Sequence, residues 1–345
     1  MTINTPPFLK PGDTIAITAP SSGVPLPLQS QLDQAISYLQ SRGYQTIEGH
    51  YLRDEQKNQS APKYQRAAEL TQFLLDPNIN AIIPPWGGER ASDLLDLIDF
   101  NSLRDQPAKW FCGYSDISTL QVPLTTLSGW ATVHGPCLMD FGTREIDSIT
   151  EGLWPILEGA QQPAYRQYSS DLYHDQHTNS FESNENGHLF NIPTQWKLLN
   201  QNLSHISFSG YLIGGCLDTL SYLIGTPYGD ITQFCLKHKA SGTILFFENA
   251  ELSPCQMLRA LLCMKRNGWF ENLAGIVIGR NSAQDATFKN QLSYLDALKE
   301  AFDGVNCPIL FDADIGHKPP QLSLVNGVYC EVEYHLTKTI LTQYI

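Results

Sequence analysis

This 345-residue sequence has little charge and no long uninterrupted apolar run. Charged residues make up 17%, and 22 basic residues face 35 acidic ones, for a net charge of −13. The shortage of positive charge argues against nucleic acid and anionic membranes as partners, because both require a concentrated positive surface. No apolar stretch approaches the ~18 residues of a membrane-spanning helix. We therefore expect neither nucleic acid nor a membrane as a partner.

Paired cysteines are also lacking. None of the eight cysteines forms a Cys-x-x-Cys pair, and several lie inside apolar runs, which is typical of reduced core residues rather than a disulfide framework. The first ten residues lack the basic region and apolar region of a signal peptide. At roughly 150 residues per domain, the sequence predicts a soluble, cytoplasmic chain of two domains.

Cofactor and metal motifs are missing as well. The chain has no Gly-x-Gly-x-x-Gly sequence and no Walker loop, so neither a dinucleotide nor a nucleoside triphosphate is expected. Asp312, Asp314 and His317 are spaced in a way that suggests metal ligands. However, the other histidines form no His-x-His or His-Glu-x-x-His pattern. We therefore expect no metal and no cofactor.

Short apolar strands alternate with amphipathic helices along most of the chain. This alternation predicts an α/β fold with an N-terminal parallel sheet flanked by helices, followed by a C-terminal α/β domain with a strand-rich end. Periodicity disappears between about residues 165 and 205, where polar residues dominate. The predicted organisation is an N-terminal domain (1–165), a linker or surface excursion (166–205) and a C-terminal domain (206–345).

Two loops that follow predicted strands in the first half combine glycine with polar residues. The first contains Gly88, Glu89 and Arg90 after a double-glycine turn, where glycine permits close approach of a ligand to the main chain and the next helix offers free N–H groups. The second contains Ser115 and Asp116. Taken alone, the second loop favours a capping role for Ser115 or Asp116 at the start of the helix that follows.

Two further strand ends, both in the second half, carry a carboxylate and an imidazole. Glu248 directly ends a run of strand formers, and His317 follows a strand beside a glycine. A carboxylate in such a position is suited to orienting a histidine, and a histidine to acid–base chemistry. His134 is an alternative candidate for the same acid–base role.

The order and spacing of many segments resemble the LD-carboxypeptidase family. The resemblance covers most of the chain and includes these segments: Leu9–Asp13, Ala19–Gly23, Trp86–Gly88, Gly113–Leu120, His134–Pro136, Gly214–Gly215, Ile224–Pro227, Ile244–Glu248 and Gly316–His317. It implies a two-domain fold, commonly assembled as a homodimer. It also implies hydrolysis of the L,D peptide bond that precedes the terminal amino acid of a muropeptide or related peptide, by a Ser–Glu–His triad.

The resemblance assigns two members of this triad directly, Glu248 and His317. Counting four residues from the first glycine of the Gly-Gly pair, the expected serine position is occupied by Ala91, which has no hydroxyl group. Ser92 is the neighbouring substitute. Ser115 is another hydroxyl in the same region, although the resemblance assigns it no nucleophile role. An engineered serine-to-alanine change, or a branch of the family that uses no serine nucleophile, would also account for Ala91.

The remaining roles and the rival functions follow from the same residues. Gly88 and the helix-start N–H groups are expected to hold the oxyanion, with Ser115 and Asp116 beside them in the substrate site. Arg90 is the nearest cation for the substrate carboxylate, and Glu89 is a candidate base or amine ligand. The rivals are a non-catalytic peptide-binding homologue, favoured by Ala91, and a glycosidase that uses Glu89 and Glu248 as a carboxylate pair.

Overall fold

The computed structural model describes residues 2–161, 163–175, 187–199 and 203–345. The eight α-helices assigned within these ranges are α1 (Gln29–Ser41), α2 (Lys63–Leu75), α3 (Ser118–Thr126), α4 (Leu153–Leu157), α5 (Leu217–Leu220), α6 (Ile231–Lys237), α7 (Pro254–Arg266) and α8 (Tyr294–Ala301). Short 3-10 helices lie between them, and the two relevant to the site span Ala91–Leu97 and Ser115–Ile117.

Sixteen strands are assigned in the same ranges. In chain order they are β1 (Thr14–Ile17), β2 (Gln45–Glu48), β3 (Ala81–Ile82), β4 (Trp110–Gly113), β5 (Thr132–His134), β6 (Ala164–Tyr168), β7 (Leu172–Tyr173), β8 (Ile192–Pro193), β9 (Lys197–Leu198), β10 (His205–Cys216), β11 (Thr243–Glu248), β12 (Leu273–Gly279), β13 (Ile309–Ala313), β14 (Leu324–Asn326), β15 (Tyr329–His335) and β16 (Thr339–Tyr344).

The strands form two main sheets, as the alternating pattern predicts. The first has the order β14-β5-β4-β3-β1-β2, in which the five strands from the first half are parallel and β14 joins antiparallel. The second has the order β6-β16-β15-β10-β11-β12-β13-β9, with a parallel centre formed by β10 to β13. The strand-rich end consists of β15 and β16. The predicted fold class is confirmed.

The parallel centre of the second sheet is covered on both faces. Every residue of β11 is buried, including the consecutive Phe246 and Phe247, which point to opposite faces of the sheet. Parallel strands covered on both faces have near-continuous apolar sequences. Burial of each phenylalanine side chain stabilises the folded state by about 1.5–3 kcal/mol. The core thus fixes β11 rigidly, up to its final residue Glu248.

Both sheets also recruit strands from outside their own half of the sequence. β6 pairs with β16 and β9 pairs with β13, so parts of the predicted excursion 166–205 are strands of the second sheet. Residues 176–186 and 200–202 of that excursion lie outside the described residues. Conversely, β14 from near the chain end pairs with β5 of the first sheet. The domain boundaries themselves remain a prediction.

Candidate active site

Ser115 occupies a sharp turn between a strand and a helix. β4 ends at Gly113, and the 3-10 helix Ser115–Ile117 leads directly into α3. Ser115 has a φ of 60°, in the left-handed region, where a residue with a Cβ is destabilised by roughly 1–2 kcal/mol. A serine held in this conformation between a strand and a helix has the geometry of a nucleophile elbow, which exposes the hydroxyl above the sheet.

The Ser115 hydroxyl is the first member of a hydrogen-bonded chain of three side chains. Its Oγ lies 3.0 Å from Nε2 of His317, and Nδ1 of His317 lies 2.9 Å from Oε2 of Glu248. Both distances are within hydrogen-bond range. Glu248 accepts from Nδ1–H, which leaves Nε2 to accept from the serine hydroxyl. This is the arrangement of a nucleophile, a general base and an orienting carboxylate.

Each member of the chain comes from the carboxyl end of a different parallel strand. Ser115 follows β4 of the first sheet, whereas Glu248 ends β11 and His317 follows β13 of the second sheet. Loops at the carboxyl ends of parallel strands carry the ligands and catalytic groups of α/β proteins. The site therefore requires both sheets.

Glu248 and His317 shift each other's protonation. Burial alone raises the pKa of the Glu248 carboxyl, but the attraction and hydrogen bond of His317 outweigh burial and hold that pKa below its ordinary value. Burial likewise lowers the pKa of His317, yet the attraction of Glu248 prevails and raises it above 6.5. The carboxylate is thus ionised at neutral pH, and it stabilises an imidazolium that forms when His317 takes a proton.

The carboxylate of Asp116 links three groups around the elbow, because it accepts a hydrogen bond from each of them. Oδ2 accepts from Ser21 Oγ at 2.6 Å and from the Ala91 N–H at 2.8 Å, and Oδ1 accepts from Thr119 Oγ1 at 3.0 Å. Burial raises the pKa of Asp116, although these hydrogen bonds oppose the shift. The side chain is committed to this network, so the group of Asp116 that remains for a substrate is its backbone N–H.

Gly87 and Gly88 allow the neighbouring loop to lie directly against the elbow. A Cβ on Gly87 would stand 2.8 Å from Ser115 Cβ and 2.9 Å from Asp116 N, and a Cβ on Gly88 would stand 2.4 Å from Ser22 Oγ. Gly88 also has a φ of 132°, which favours glycine. Glycine is therefore required at position 87 by contact with the elbow, and at position 88 by contact with Ser21 and Ser22 of the loop after β1.

The backbone N–H groups of Gly88 and Asp116 donate no hydrogen bond within the described part of the chain. Asp116 is the second residue of its 3-10 helix, where N–H groups have no partner within the helix. Such donors stabilise a developing oxyanion when they point at it. Gly88 and Asp116 both belong to the residues predicted to bind the oxyanion or the substrate, and that role remains a prediction.

The structure differs from the sequence prediction at the nucleophile. Ser92 is exposed on the 3-10 helix Ala91–Leu97, while Ala91 is fully buried against the core. The hydroxyl that His317 contacts belongs to Ser115 instead. The position four residues after the first glycine lies in the buried stripe with Leu94 and not in the turn.

Arg90 and Glu89 are engaged away from the triad. The Arg90 guanidinium pairs with Asp93 at 2.8 Å. The exposed Glu89 carboxylate accepts from the Asn58 amide at 3.1 Å. Neither side chain contacts Ser115 among the contacts of the described residues, so their predicted substrate roles remain predictions.

His134, the other acid–base candidate, is a core residue beside the site. It is fully buried, and its Nδ1 lies 3.4 Å from Ser118 Oγ. Its ring packs 5.4 Å from the ring of Phe246. Burial lowers the pKa of His134 to about 4, so the ring is neutral at physiological pH. The contacts to both Ser115 and Glu248 belong to His317.

Asp312 and Asp314, whose spacing suggests a metal site, form ion pairs and hydrogen bonds with other side chains of the protein. Lys197 pairs with Asp312 at 2.8 Å, and Arg280 pairs with Asp314, which also accepts from the Trp196 indole at 2.8 Å. Among the described residues there is no group of three or more His, Cys, Asp or Glu side chains arranged to hold a metal ion. Within these same ranges, none of the helices combines the length and the apolarity needed to cross a membrane.

Two family models match the chain. The LD-carboxypeptidase N-terminal domain matches residues 15–135, and the LD-carboxypeptidase C-terminal domain matches residues 209–332. The chain belongs to the LD-carboxypeptidase family. Each of the two matches contains part of the hydrogen-bonded chain, with Ser115 in the first and Glu248 and His317 in the second.

Individual members of the LD-carboxypeptidase family align over nearly the full length. The chain is 26% identical to the microcin C7 self-immunity protein MccF of Escherichia coli, over 96% of this chain and 94% of that protein. It is 26% identical to a probable murein peptide carboxypeptidase of Bacillus subtilis, over 93% of this chain and 89% of the relative. The fold matches the structure of MccF in complex with glutamyl sulfamoyl guanosine with a TM-score of 0.83 at 23% identity, covering 99% of both chains.

Proposed function

We propose that this protein is a serine-type carboxypeptidase that hydrolyses an L,D peptide bond and releases the terminal amino acid of a muropeptide or related peptide. In this proposal Ser115 is the nucleophile, His317 the general base and acid, and Glu248 the orienting carboxylate. The observation that carries it is the hydrogen-bonded chain, with 3.0 Å between Ser115 Oγ and His317 Nε2 and 2.9 Å between His317 Nδ1 and Glu248 Oε2.

Acylation begins when Ser115 Oγ attacks the scissile carbonyl carbon and its proton passes to Nε2 of His317. Glu248 stabilises the imidazolium through Nδ1–H. The carbonyl oxygen becomes an oxyanion, which accepts from the N–H groups of Gly88 and Asp116. Collapse of the tetrahedral intermediate breaks the C–N bond, and His317 returns the proton to the departing amine.

Deacylation repeats these steps with water. His317 takes a proton from a water molecule, whose oxygen attacks the acyl-enzyme ester, and the proton then returns to Ser115 Oγ as the acyl group leaves. The strained turn at Ser115 supports both steps, because it holds the hydroxyl toward His317 in each half-reaction.

The proposed substrate class is supported by the family and by two of the relatives. Membership in the LD-carboxypeptidase family and the similarity to a probable murein peptide carboxypeptidase support a peptide with a terminal D-amino acid. MccF binds glutamyl sulfamoyl guanosine, in which an aminoacyl group is joined to a larger leaving group. The peptide and glutamyl sulfamoyl guanosine each offer an acyl carbon to a serine nucleophile.

The rival functions are less consistent with the geometry. Ala91 favours a non-catalytic homologue, but the hydroxyl in contact with His317 is that of Ser115. A glycosidase needs two carboxyl groups that reach a sugar. Glu248 is fully buried behind His317, and Glu89 is exposed and bonded to Asn58, so they do not form such a pair.

The proposal is tested by measuring D-alanine released from an L,D-linked tetrapeptide. Wild type is expected to release D-alanine, and Ser115→Ala is expected to lower kcat by at least about 10⁴-fold, since loss of a triad nucleophile costs up to about a millionfold. His317→Ala should cause a loss of similar size. Ser92→Ala is the matched control, because it removes an exposed serine hydroxyl that does not contact His317.

Two outcomes contradict the proposal. Retention of wild-type turnover by Ser115→Ala would exclude this serine as the nucleophile. Absence of D-alanine release by the folded wild-type protein would exclude the reaction itself.

Assembly and location form a separate part of the proposal. The family resemblance implies a homodimer, which light scattering of the purified chain tests by its mass. The structure describes all eight cysteines and joins none of them in a disulfide, which supports the cytoplasm, where thiols stay reduced. Fractionation of the producing cells tests the location.

A further inference from the structure

The loop that carries His317 is tied to the second sheet by a residue outside the triad. This histidine loop (residues 314–320) follows β13, and the neighbouring strand β12 ends at Gly279. The next residue is Arg280, whose backbone N–H donates to the carbonyl oxygen of Ala313 at 3.0 Å. Its side chain is 4% exposed. Arg280 is thus buried against the start of the histidine loop.

The two terminal nitrogens of the Arg280 guanidinium hold opposite sides of the histidine loop. Nη2 pairs with the carboxylate of Asp314, which precedes His317. Nη1 donates to the carbonyl oxygens of Lys318 and Pro320, which follow His317, at 3.2 Å in each case. A guanidinium is planar and presents its donors in a fixed geometry. The histidine is therefore bracketed by the hydrogen bonds of a single rigid group.

Further hydrogen bonds hold the ion pair itself in place. Asp314 is fully buried and accepts from the Trp196 indole at 2.8 Å and from the Ser170 N–H at 3.0 Å. Nη2 of Arg280 also donates to Thr194 Oγ1 at 3.0 Å. Buried charges are costly unless they are paired and hydrogen-bonded. The pair therefore has little freedom to move, as a support for a catalytic loop requires.

The histidine loop rests directly on the orienting carboxylate. Gly316 has a φ of 97°, and a Cβ at this position would stand 2.6 Å from Glu248 Cδ. His317 bonds to Glu248 at 2.9 Å and to Ser115 at 3.0 Å. A displacement of about 1 Å away from these partners would take both distances out of hydrogen-bond range. A small movement of the loop is thus enough to break the chain of three side chains.

We propose that Arg280 is a positioning residue for His317, which it keeps at hydrogen-bond distance from Ser115 and Glu248 by bonding to both sides of the histidine loop. The inference rests on the proposed function for the role of His317 as the base. Such a residue acts on kcat through the geometry of the base and not through the binding of substrate.

Arg280→Lys tests the positioning role without removing the charge. Arg280→Ala would leave the buried Asp314 carboxylate unpaired, which is strongly destabilising, whereas lysine keeps a cation for it. An ammonium group is a single point of charge without the fork of a guanidinium, so it cannot hold Asp314 and both carbonyl oxygens together. We expect kcat for D-alanine release to fall by about 10²-fold, the cost of a displacement near 1 Å, with KM nearly unchanged.

Arg42→Lys is the matched control. Arg42 also forms an ion pair, with Glu158 at 2.7 Å, and its guanidinium lies 4.7 Å from the centre of the Trp154 ring. It follows α1, on the side of the first sheet, and is not part of the histidine loop. This replacement should leave kcat, KM and the pKa of His317 as in wild type.

The pKa of His317 reports its position without any substrate. Burial opposes the charged form, yet the attraction of Glu248 raises this pKa above 6.5. A histidine displaced from Glu248 loses that attraction, so the pKa should be lower in Arg280→Lys than in wild type. The measurement is an NMR titration of protein labelled with ¹³C at Cε1 of histidine, in which His317→Ala assigns the signal.

The two measurements separate failure of this inference from failure of the proposed function. Wild-type kcat, or an unchanged pKa of His317, in folded Arg280→Lys would overturn the positioning role and leave the proposed function standing. A lowered pKa in Arg280→Lys, together with no release of D-alanine by wild type, would support the positioning role and overturn the proposed function. The same fall in pKa in Arg42→Lys would overturn the positioning role.

Discussion

Replacement of Glu248 by glutamine tests the orienting role of the carboxylate with almost no change in shape. Glu248 is fully buried, and its Oε2 accepts from His317 Nδ1–H at 2.9 Å. A glutamine amide in the same place offers a donor N–H₂ as well as an acceptor. When the donor faces Nδ1, the proton of the imidazole moves to Nε2, where it blocks acceptance from Ser115.

The expected effect of Glu248→Gln is a fall in kcat of about 10⁴-fold, the loss known for the equivalent aspartate-to-asparagine change in a serine-protease triad. This corresponds to about 5 kcal/mol of transition-state stabilisation. KM should change little, because Glu248 lies behind His317 and is fully buried. The assay is D-alanine release from an L,D-linked tetrapeptide at saturating and subsaturating concentrations.

The double variant Glu248→Gln with His317→Ala provides the control. If Glu248 acts through His317, adding the glutamine to the His317→Ala variant should lower kcat no further, because the two residues work as a unit. A kcat within tenfold of wild type for Glu248→Gln, in a protein with an unchanged unfolding temperature, would refute the reasoning. Full additivity in the double variant would also refute it.

Three other predictions follow from the same geometry. Because the pKa of His317 is raised, kcat/KM should fall as the pH drops through an apparent pKa above 6.5, as a pH–rate profile will show. Gly87→Ala, whose Cβ would lie 2.8 Å from Ser115 Cβ, should lower kcat by about 10²-fold, the cost of a displacement near 1 Å. Asp116→Ala leaves three buried donors without an acceptor, so it should lower the free energy of unfolding by about 3 kcal/mol or more. Urea denaturation measures this loss, and Asp105→Ala, at an exposed position, is the control.

Each of the three has a contradicting result. A flat profile between pH 5 and 8 would mean that His317 is not the base. Wild-type kcat in Gly87→Ala would mean that the two loops do not constrain each other. A loss of stability in Asp116→Ala no larger than in the control would mean that the network does not hold the loops.

Most of the fold could be predicted from hydrophobic periodicity. The apolar spacing of residues 294–301 predicts a helix that coincides with α8, and the run of strand formers at residues 243–247 forms β11 with Glu248 as its last residue. These elements have strong local patterns and lie in a covered sheet. Periodicity could not show that the stripe beginning at Ala91 forms a 3-10 helix, or that β14 crosses to the first sheet, because both depend on packing between distant segments.

The site was only partly predictable, for a similar reason. Glu248 and His317 are 69 residues apart, yet Glu248 ends one strand of the second sheet and His317 follows another, and the carboxyl ends of parallel strands meet at one edge of a sheet. Ser115 is recognisable in the sequence as a strand-end hydroxyl, but its positive φ and its contact across 202 residues to His317 are tertiary features.

The most direct test of the central claim is to locate the acyl group during turnover. An L,D depsipeptide, in which D-lactate replaces the terminal D-alanine, acylates a serine faster because its leaving group is better. Rapid quenching followed by peptide mass spectrometry should find the acyl mass on the peptide that carries Ser115, and not in Ser115→Ala. An adduct on Ser92 or any other residue, or turnover that persists in Ser115→Ala, would contradict the assignment of Ser115 as the nucleophile.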